Sequence, residues 1–394
     1  MSLLQISHSL DLLRLREAGY NIEVTKGGYL VVRDVPYVNS ARVVRQGALV
    51  SKLDLAGDRT GAPGDHTMMF VGEFPCLADG SPMEMLRHSS APIKLDDGLE
   101  VQHKFSRKPL NRNYVDYFEK VEAYVALISR EAAVIDSTAT PLTFQVIEPD
   151  DSDYPFNYLD TASARAEINV VAKKLADERV AIVGVGGTGS YVLDLVAKTP
   201  VREIHLFDKD GFSTHNAFRA PGAPSVEELR THPRKTRYFE SCYSKMNRRI
   251  TAHEEDLGAS NLDVLHNMTF VFLCMDRGPE KKIIVEKLEE YAIPFIDVGI
   301  GLYRHGDSLG GQLRVTTSLP GQRESARFSI PFGGTEAEAE YDKDIQVAEL
   351  NALNACLAVI RWKKFRGFYL DSEQEQLTTY TIAFNLLNSE DTPS

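Results

Sequence analysis

Four glycines, Gly184, Gly186, Gly187 and Gly189, stand as G-x-G-G-x-G inside the stretch "RVAIVGVGGTGSYVLDLVAKTPVREIHLFDKD". Glycine allows a tight backbone turn and a close approach to a phosphate. A helix beginning there adds unpaired N–H groups and the positive end of its dipole. Asp208 ends the next apolar run, where a carboxylate can accept hydrogen bonds from ribose hydroxyls. This much describes a nucleotide site, and NAD and ATP suit it equally.

The residues that follow separate the two. Asn216 and Arg219 lie in "THNAFR", Lys235 in "HPRKTRYF", and Asp276 in "FVFLCMDRG". A hydride-transfer enzyme has no need of Asn, Arg and Lys in this order with an acid at another strand tip. A triphosphate with magnesium does. Arg and Lys offset phosphate charge, and Asp276 can hold the metal.

These residues need a scaffold. "RVAIVGV", "EIHLFD", "FVFLCM" and "PFIDVG" read as strands, with helices such as "EKKIIVEKLEEYA" between them. The alternation predicts an α/β fold with a Rossmann-like, doubly wound, mainly parallel sheet. "GQLRVTTS" adds a later strand, and "IQVAELNALNACLAVIRWKKF" a long apolar-striped helix, fit for core or interface alike. Upstream, "SLLQISHSLDLLRLREAGY" and "YVDYFEKVEAYVALISREAAV" read as helices, "YLVVRDVPYV" and "HTMMFVGEF" as strands. The expectation is a smaller α+β domain over residues 1–150 and a nucleotide-binding domain over 151–394. The turn-rich "PDDSDYPFNYLDTAS" is read as the linker.

Bulk properties narrow the partners. The chain has 394 residues, more than one ordinary core, since domains run to roughly 100–200 residues. The formal net charge of −12 disfavours broad nucleic-acid or anionic-membrane binding. The four cysteines, Cys76, Cys242, Cys274 and Cys356, form no C-x-x-C half-site, so no zinc is expected. So few cysteines, without a secretion signal or an apolar run of about 20 residues, fit a cytoplasmic protein.

From about Arg165 to Phe365 the chain resembles the ThiF/MoeB group of adenylating enzymes, bacterial relatives of ubiquitin-activating enzymes. The glycine loop, "LFDKD", "HNAFR", Lys235 and "CMDRG" carry the resemblance in order. It implies an adenylyltransferase that binds ATP and magnesium. The substrate would be the C-terminal glycine carboxylate of a ubiquitin-like protein, with a conjugating enzyme as further partner. On the same ground, the glycines cradle phosphate, Asp208 holds ribose, and Asp210 helps place the metal. Asn216 and Arg219 contact phosphate, Lys235 offsets charge as pyrophosphate leaves, and Asp276 binds magnesium or positions the carboxylate. The resemblance further implies a homodimer in which Arg165 enters the other subunit's site, and recruitment of a protein partner by the N-terminal domain.

The pattern also departs from that group. The two structural C-x-x-C pairs are absent. "LPGQRESARFSIPFGGTEAEAEYDKD" holds no cysteine where many members carry a catalytic one, and Ala220 stands where Gln is usual after the Arg. Acyl transfer is therefore left open. The adenylate passes to another protein, is attacked by a partner's amine or thiol, or acylates a hydroxyl such as Ser325 or Ser329. Cys76, expected to be exposed beside the turn "LADG", is the weak thiol candidate. Cys274 and Cys356 are expected in the core. Three other readings stand beside adenylation of a protein: an NAD-dependent oxidoreductase, a non-catalytic scaffold that binds a ubiquitin-like protein, and activation of a small-molecule carboxylate.

Overall fold

Apolar and β-branched runs bounded by Gly and Pro set the strands, and the chain divides into two compact units, Met1–Ile147 and Glu148–Ser394. The computed structural model describes residues 5–390 apart from 7, 58, 150–152, 166–167 and 334–344. Among the described residues no helix is long and apolar enough to cross a membrane.

The first unit is a six-stranded antiparallel sheet in the order β1-β2-β3-β4-β6-β5. Its strands are β1 (Ile22–Val24), β2 (Tyr29–Val38), β3 (Val44–Lys52), β4 (Thr67–Val71), β5 (Arg87–Ser89) and β6 (His103–Ser106). Helix α1 (Leu10–Glu17) and helix α2 (Tyr117–Ile135) close one face. Asp116 caps α2 by accepting the Glu119 N–H, which satisfies one of the free donors of its first turn. Leu12 and Leu15 of α1 and Tyr117, Val121, Tyr124 and Ile128 of α2 bury against Leu30, Val32, Phe70 and Phe105 of the sheet.

The second unit contains an eight-stranded mixed sheet in the order β9-β8-β7-β10-β11-β12-β13-β14. The parallel part comprises β7 (Arg179–Val183), β8 (Glu203–Phe207), β9 (Ile250–His253), β10 (Phe270–Leu273) and the start of β11 (Phe295–His305). Strands β12 (Ser308–Ser318), β13 (Leu377–Thr381) and β14 (Leu386–Glu390) continue it antiparallel. The doubly wound sheet is thus present, with a three-strand antiparallel extension. Strands β11 and β12 are one long hairpin, where the sequence pattern showed only short segments of each.

Helices α3 (Gly187–Val196), α4 (Lys235–Tyr243), α5 (Pro279–Glu290), α6 (Arg323–Ser329) and α7 (Ala348–Phe365) surround this sheet. Helix α7 buries Ala355, Ala358, Val359 and Trp362 against α3 residues Val192, Leu193 and Val196 and against Phe270 and Phe272. Its apolar stripe therefore serves the core of its own unit. Cys356 lies at the flank of that stripe and is only half-buried, because a helix of 3.6 residues per turn carries it off the line of Ala355 and Val359. Cys274 falls one residue past β10 and is likewise only partly covered.

The described part of the expected linker is not free chain. Phe156 pairs with Asn247, Arg248 N–H donates to the Pro155 carbonyl at 2.9 Å, and Phe156 is 5% exposed. The aromatic pair Tyr154–Phe156 gives this stretch its own apolar anchor. It is part of the second unit.

Candidate nucleotide site

Gly184, Asp208 and Asp276 lie just past the carboxyl ends of three adjacent parallel strands, β7, β8 and β10. In doubly wound sheets this edge is where ligands bind. Gly184 has φ +84°, and a Cβ there would sit 2.6 Å from the Cys274 carbonyl oxygen. A Cβ on Gly189 would sit 1.9 Å from the Gly184 carbonyl oxygen, and one on Gly187 would strike Asn351 and Gln346. Gly184 and Gly189 are demanded by packing between the loop, α3 and the neighbouring strand, and Gly187 leaves room for the side chains of Asn351 and Gln346. Gly186 differs: a Cβ there meets nothing within 4 Å. That open space lies before the first turn of α3, whose N–H groups suit an anion.

Asp208 is 7% exposed and organises the loop. Its Oδ2 accepts the Val185 N–H at 3.0 Å and its Oδ1 the Asp210 N–H at 2.9 Å. A carboxylate has about four lone-pair sites, so two remain for ribose hydroxyls.

Lys235 opens α4 and is 7% exposed. A cation at a helix N-terminus opposes the macrodipole. Here Nζ donates to Asp210 Oδ2 at 2.7 Å and lies 3.5 Å from Asp208 Oδ1. The Lys235 hydrogen bond holds the Asp210 carboxyl below the usual carboxylate range. The strand-to-helix segment is fixed from both ends. Lys235 N–H donates to the Asp210 carbonyl, Phe212 N–H donates to Pro233, and the Phe212 ring stacks on Tyr238 at 4.0 Å.

Asn216 is 2% exposed in a one-turn helix. Its Oδ1 accepts from the Ser213 N–H and hydroxyl, both at 3.0 Å. Its Nδ2 is buried with no hydrogen-bond partner among the described residues. A buried donor left unmatched costs about 1–3 kcal/mol, so this one calls for an acceptor such as a phosphate or ribose oxygen. Arg219 is half-buried, and its carbonyl accepts from Asn351 Nδ2 at 3.3 Å. Ala220 is buried in the core, so the position where Gln is usual serves packing here.

Asp276 is exposed on the loop between β10 and α5. Arg165 ends a short helix, Thr161–Arg165, and its side chain lies outside the described residues. Part of the cysteine-free segment, residues 334–344, lies outside them too.

Two polar groupings near the loop were not legible in the sequence. Thr188 donates to Asn351 Oδ1 at 2.9 Å, tying α3 to α7 beneath the glycines. Lys281, Asp297 and Arg314 form a buried ion triad. Lys281 Nζ lies 2.8 Å and Arg314 Nη2 2.6 Å from the Asp297 carboxylate, and Asp297 is fully buried. Lys281 sits early in α5, so the triad holds the helix that follows the Asp276 loop.

The hydroxyl and thiol candidates fare differently. Ser325 donates to its own turn, to the Gln322 carbonyl at 3.2 Å, and both Ser325 and Ser329 lie in α6. Cys76 is not exposed. It is 3% exposed, pinned by bridges to Val38 and Pro82, and burial pushes its thiol up. Two strand-like pairings across "FPCLADGSP" draw it inward. Burial and the Asp297 charge also raise the Cys274 thiol.

Comparison with known proteins adds the following. Residues 10–161 match a domain of unknown function, DUF6791, and residues 158–387 match the ThiF family. No curated protein matches the chain. Among solved structures, E. coli MccB with MccA-N7isoASN is similar at 18% identity and a TM-score of 0.45, over 56% of this chain and 66% of that one. E. coli MccB with ATP is similar at 20% identity and a TM-score of 0.42, over 56% and 66%. PaaA is similar at 16% identity and a TM-score of 0.46, over 68% and 85%. The chain thus spans just under two thirds of the MccB chain. The family match runs from residue 158 to residue 387, more than half of the 394 residues, and the chain belongs to the ThiF family.

Proposed function

We propose that this chain is an ATP-dependent adenylyltransferase. It activates a carboxylate, in our reading the C-terminal glycine carboxylate of a ubiquitin-like protein, for transfer in a bacterial conjugation pathway. The observation that carries the reading is Lys235, held against its helix dipole by Asp208 and Asp210 at the mouth of the glycine loop. An NAD site would use Asp208 and leave Lys235 without a role. A triphosphate uses both. Ribose hydroxyls take up the free lone pairs of Asp208, and Lys235 turns from Asp210 to the phosphates.

The reaction joins two anions. A carboxylate oxygen attacks the α-phosphorus, the bond to the bridging oxygen breaks, and pyrophosphate leaves with the electron pair. The protein's task is charge offset and alignment, with no nucleophile of its own. The glycine loop and the first turn of α3 hold phosphate. Asn216 Nδ2 and Arg219 donate to phosphate oxygens. Lys235 offsets the charge that grows on the leaving group. Magnesium, when bound, would supply charge neutralisation for the phosphates. Asp276, an exposed carboxylate at the crevice, would hold it. One or two carboxylates with phosphate oxygens and waters is the donor set magnesium favours.

Residues 1–150 are proposed to recruit the protein substrate or a conjugating enzyme, and a homodimer would bring Arg165 to the other copy's site. The test is ATP–pyrophosphate exchange with magnesium and ubiquitin-like proteins ending in glycine, with Asp276→Ala as control. Exchange that requires both the carboxylate and Asp276 is the expected result. ATP binding without exchange would favour a scaffold, and no ATP binding defeats the reading.

A further inference from the structure

The first unit carries a hydroxyl and an imidazole in a nucleophile–base arrangement. Ser90 follows β5, and His103 opens β6. The antiparallel register, Lys104 opposite Ser89, makes Ser90 and His103 cross-strand neighbours. Ser90 Oγ lies 3.0 Å from His103 Nδ1. The Ser90 hydroxyl donates to Nδ1 in the tautomer that carries its proton on Nε2. That is the first requirement of an activated serine, a base within hydrogen-bond reach.

Three further features set this pair apart. Arg87 Nη1 donates to Ser90 Oγ at 3.0 Å, so a cation sits beside the oxygen that would carry negative charge. Arg87 is itself fixed, by two hydrogen bonds to Glu84 and by lying over the Phe74 ring at 3.9 Å. Phe74 and Phe105 pack the imidazole edge-on and face-on. Burial and Arg87 lower the His103 pKa, which keeps the ring neutral and able to take a proton. Ser90 is exposed, and with His103, Tyr37, Glu73 and Gln102 it lines an open groove of about 640 Å³. Gln102 Oε1 accepts the Gly72 N–H, which leaves its amide Nε2 as a donor on the groove wall. Among the described residues, the other serine–histidine contacts lack this setting. Ser106–His66 has no cation on the hydroxyl, and the Ser213 hydroxyl beside His215 is bonded to Asn216.

We infer that Ser90, with His103 as its base, is an acyl-accepting nucleophile for activated carbonyl compounds, esters or acyl phosphates of the acyl-adenylate kind. The Ser90 Oγ–carbonyl carbon bond forms, and the hydroxyl proton passes to His103 Nδ1. The bond from that carbon to the leaving oxygen breaks, releasing an alkoxide, phenolate or nucleoside monophosphate. The product is a serine oxyester, which a later amine or water molecule cleaves, regaining the serine. This supplies a covalent step without a cysteine.

The full-length chain is treated with p-nitrophenyl acetate, and separately with acetyl-adenylate, with no ATP present. The outcome therefore does not depend on whether the chain adenylates anything. The expected result is a burst of about one nitrophenolate per chain, with one acetyl group on the peptide that contains Ser90, resistant to thiol. Acetyl-adenylate should acylate the same residue. Ser90→Ala should abolish the adduct, and His103→Gln should slow its formation by about 100-fold or more. A fluorophosphonate, whose adduct does not turn over, should label Ser90 even where the ester hydrolyses quickly. Absence of fluorophosphonate label, acetylation elsewhere, or a wild-type rate in Ser90→Ala overturns the inference. An unchanged rate in His103→Gln removes the base and with it the proposal.

Discussion

Lys235 and Asp210 are joined twice, backbone N–H to carbonyl at 2.9 Å and Nζ to carboxylate at 2.7 Å. The double link fixes the start of α4 to the end of the Asp208 loop before any nucleotide arrives. Lys235→Ala is expected to reduce ATP–pyrophosphate exchange by about 10²–10³-fold, the scale of losing one donor aimed at developing charge. The Asp210 contact adds little stability, because Asp210 is largely exposed and solvent screens it, whereas loss of the cation 3.5 Å from buried Asp208 should lower the melting temperature.

The same pair sets a pH dependence. The Asp210 carboxyl titrates below the usual carboxylate range because Lys235 hydrogen-bonds it. A depressed carboxyl contributes stability that is complete above its unfolded pKa and lost as pH falls through the folded one. Acid titration followed by circular dichroism should therefore show this contribution vanishing below about pH 4. Lys235→Ala should flatten the curve in that window, because the contribution that is complete near neutrality is then missing at every pH.

Stability and chemistry can be separated within the crevice. Gly189→Ala puts a methyl 1.9 Å from the Gly184 carbonyl oxygen, a backbone atom that cannot swing away. A cost of about 1–3 kcal/mol follows, seen as a lower melting temperature with weaker ATP binding. Asp276→Ala changes an exposed loop residue, so its melting temperature should match wild type, within about 0.5 kcal/mol, while exchange is lost.

How much of this was legible in the sequence depends on whether a residue's role is local. The strand tips and the glycine loop are local. Val180–Val183 is a buried parallel strand with an unbroken apolar run, and Gly184 and Gly189 mark the only geometry that lets α3 pack so close. The triad was not legible, because Lys281 opens as part of "EKK", which reads as helix surface. Only the pairing of β10, β11 and β12 brings Asp297 and Arg314 beneath it. Cys76 was misplaced for the same reason, since its bridges to Val38 and Pro82 are not encoded in the turn beside it. Ser90 and His103 meet only through the β5–β6 register.

The triad yields its own test. Lys281→Ala leaves Asp297 fully buried with Arg314 as its remaining partner, and removal of one member of a buried ion pair costs about 3–5 kcal/mol. With Arg314 retained, the loss should fall at the lower end of that range. Lys281→Met with Asp297→Leu removes both charges and should recover part of the loss, although Arg314 then lacks its partner. Urea titration of wild type, Lys281→Met, Asp297→Leu and the double variant measures the coupling. If the double change costs the sum of the two single changes, Lys281 and Asp297 are not coupled and the triad is not what holds α5.

The chain has a single tryptophan, Trp362, fully buried where α7 crosses the sheet. Its ring contacts Phe270 and Phe272 with centroids 6.2 and 6.0 Å away. Its Nε1 is buried with no hydrogen-bond partner among the described residues. Two terms therefore oppose each other in any substitution. Trp362→Ala opens a large cavity and should cost about 3–5 kcal/mol. Trp362→Phe leaves a smaller void and also removes an unmatched donor worth about 1–3 kcal/mol, so it should be far milder than its lost volume suggests. Because the indole reports only on the second unit, tryptophan fluorescence follows that unit's unfolding alone, while circular dichroism follows both. If the fluorescence transition rises on ATP addition while the remaining circular dichroism change does not, the nucleotide binds to the unit that holds the glycine loop. A shift in both transitions would instead mean that the two units unfold together.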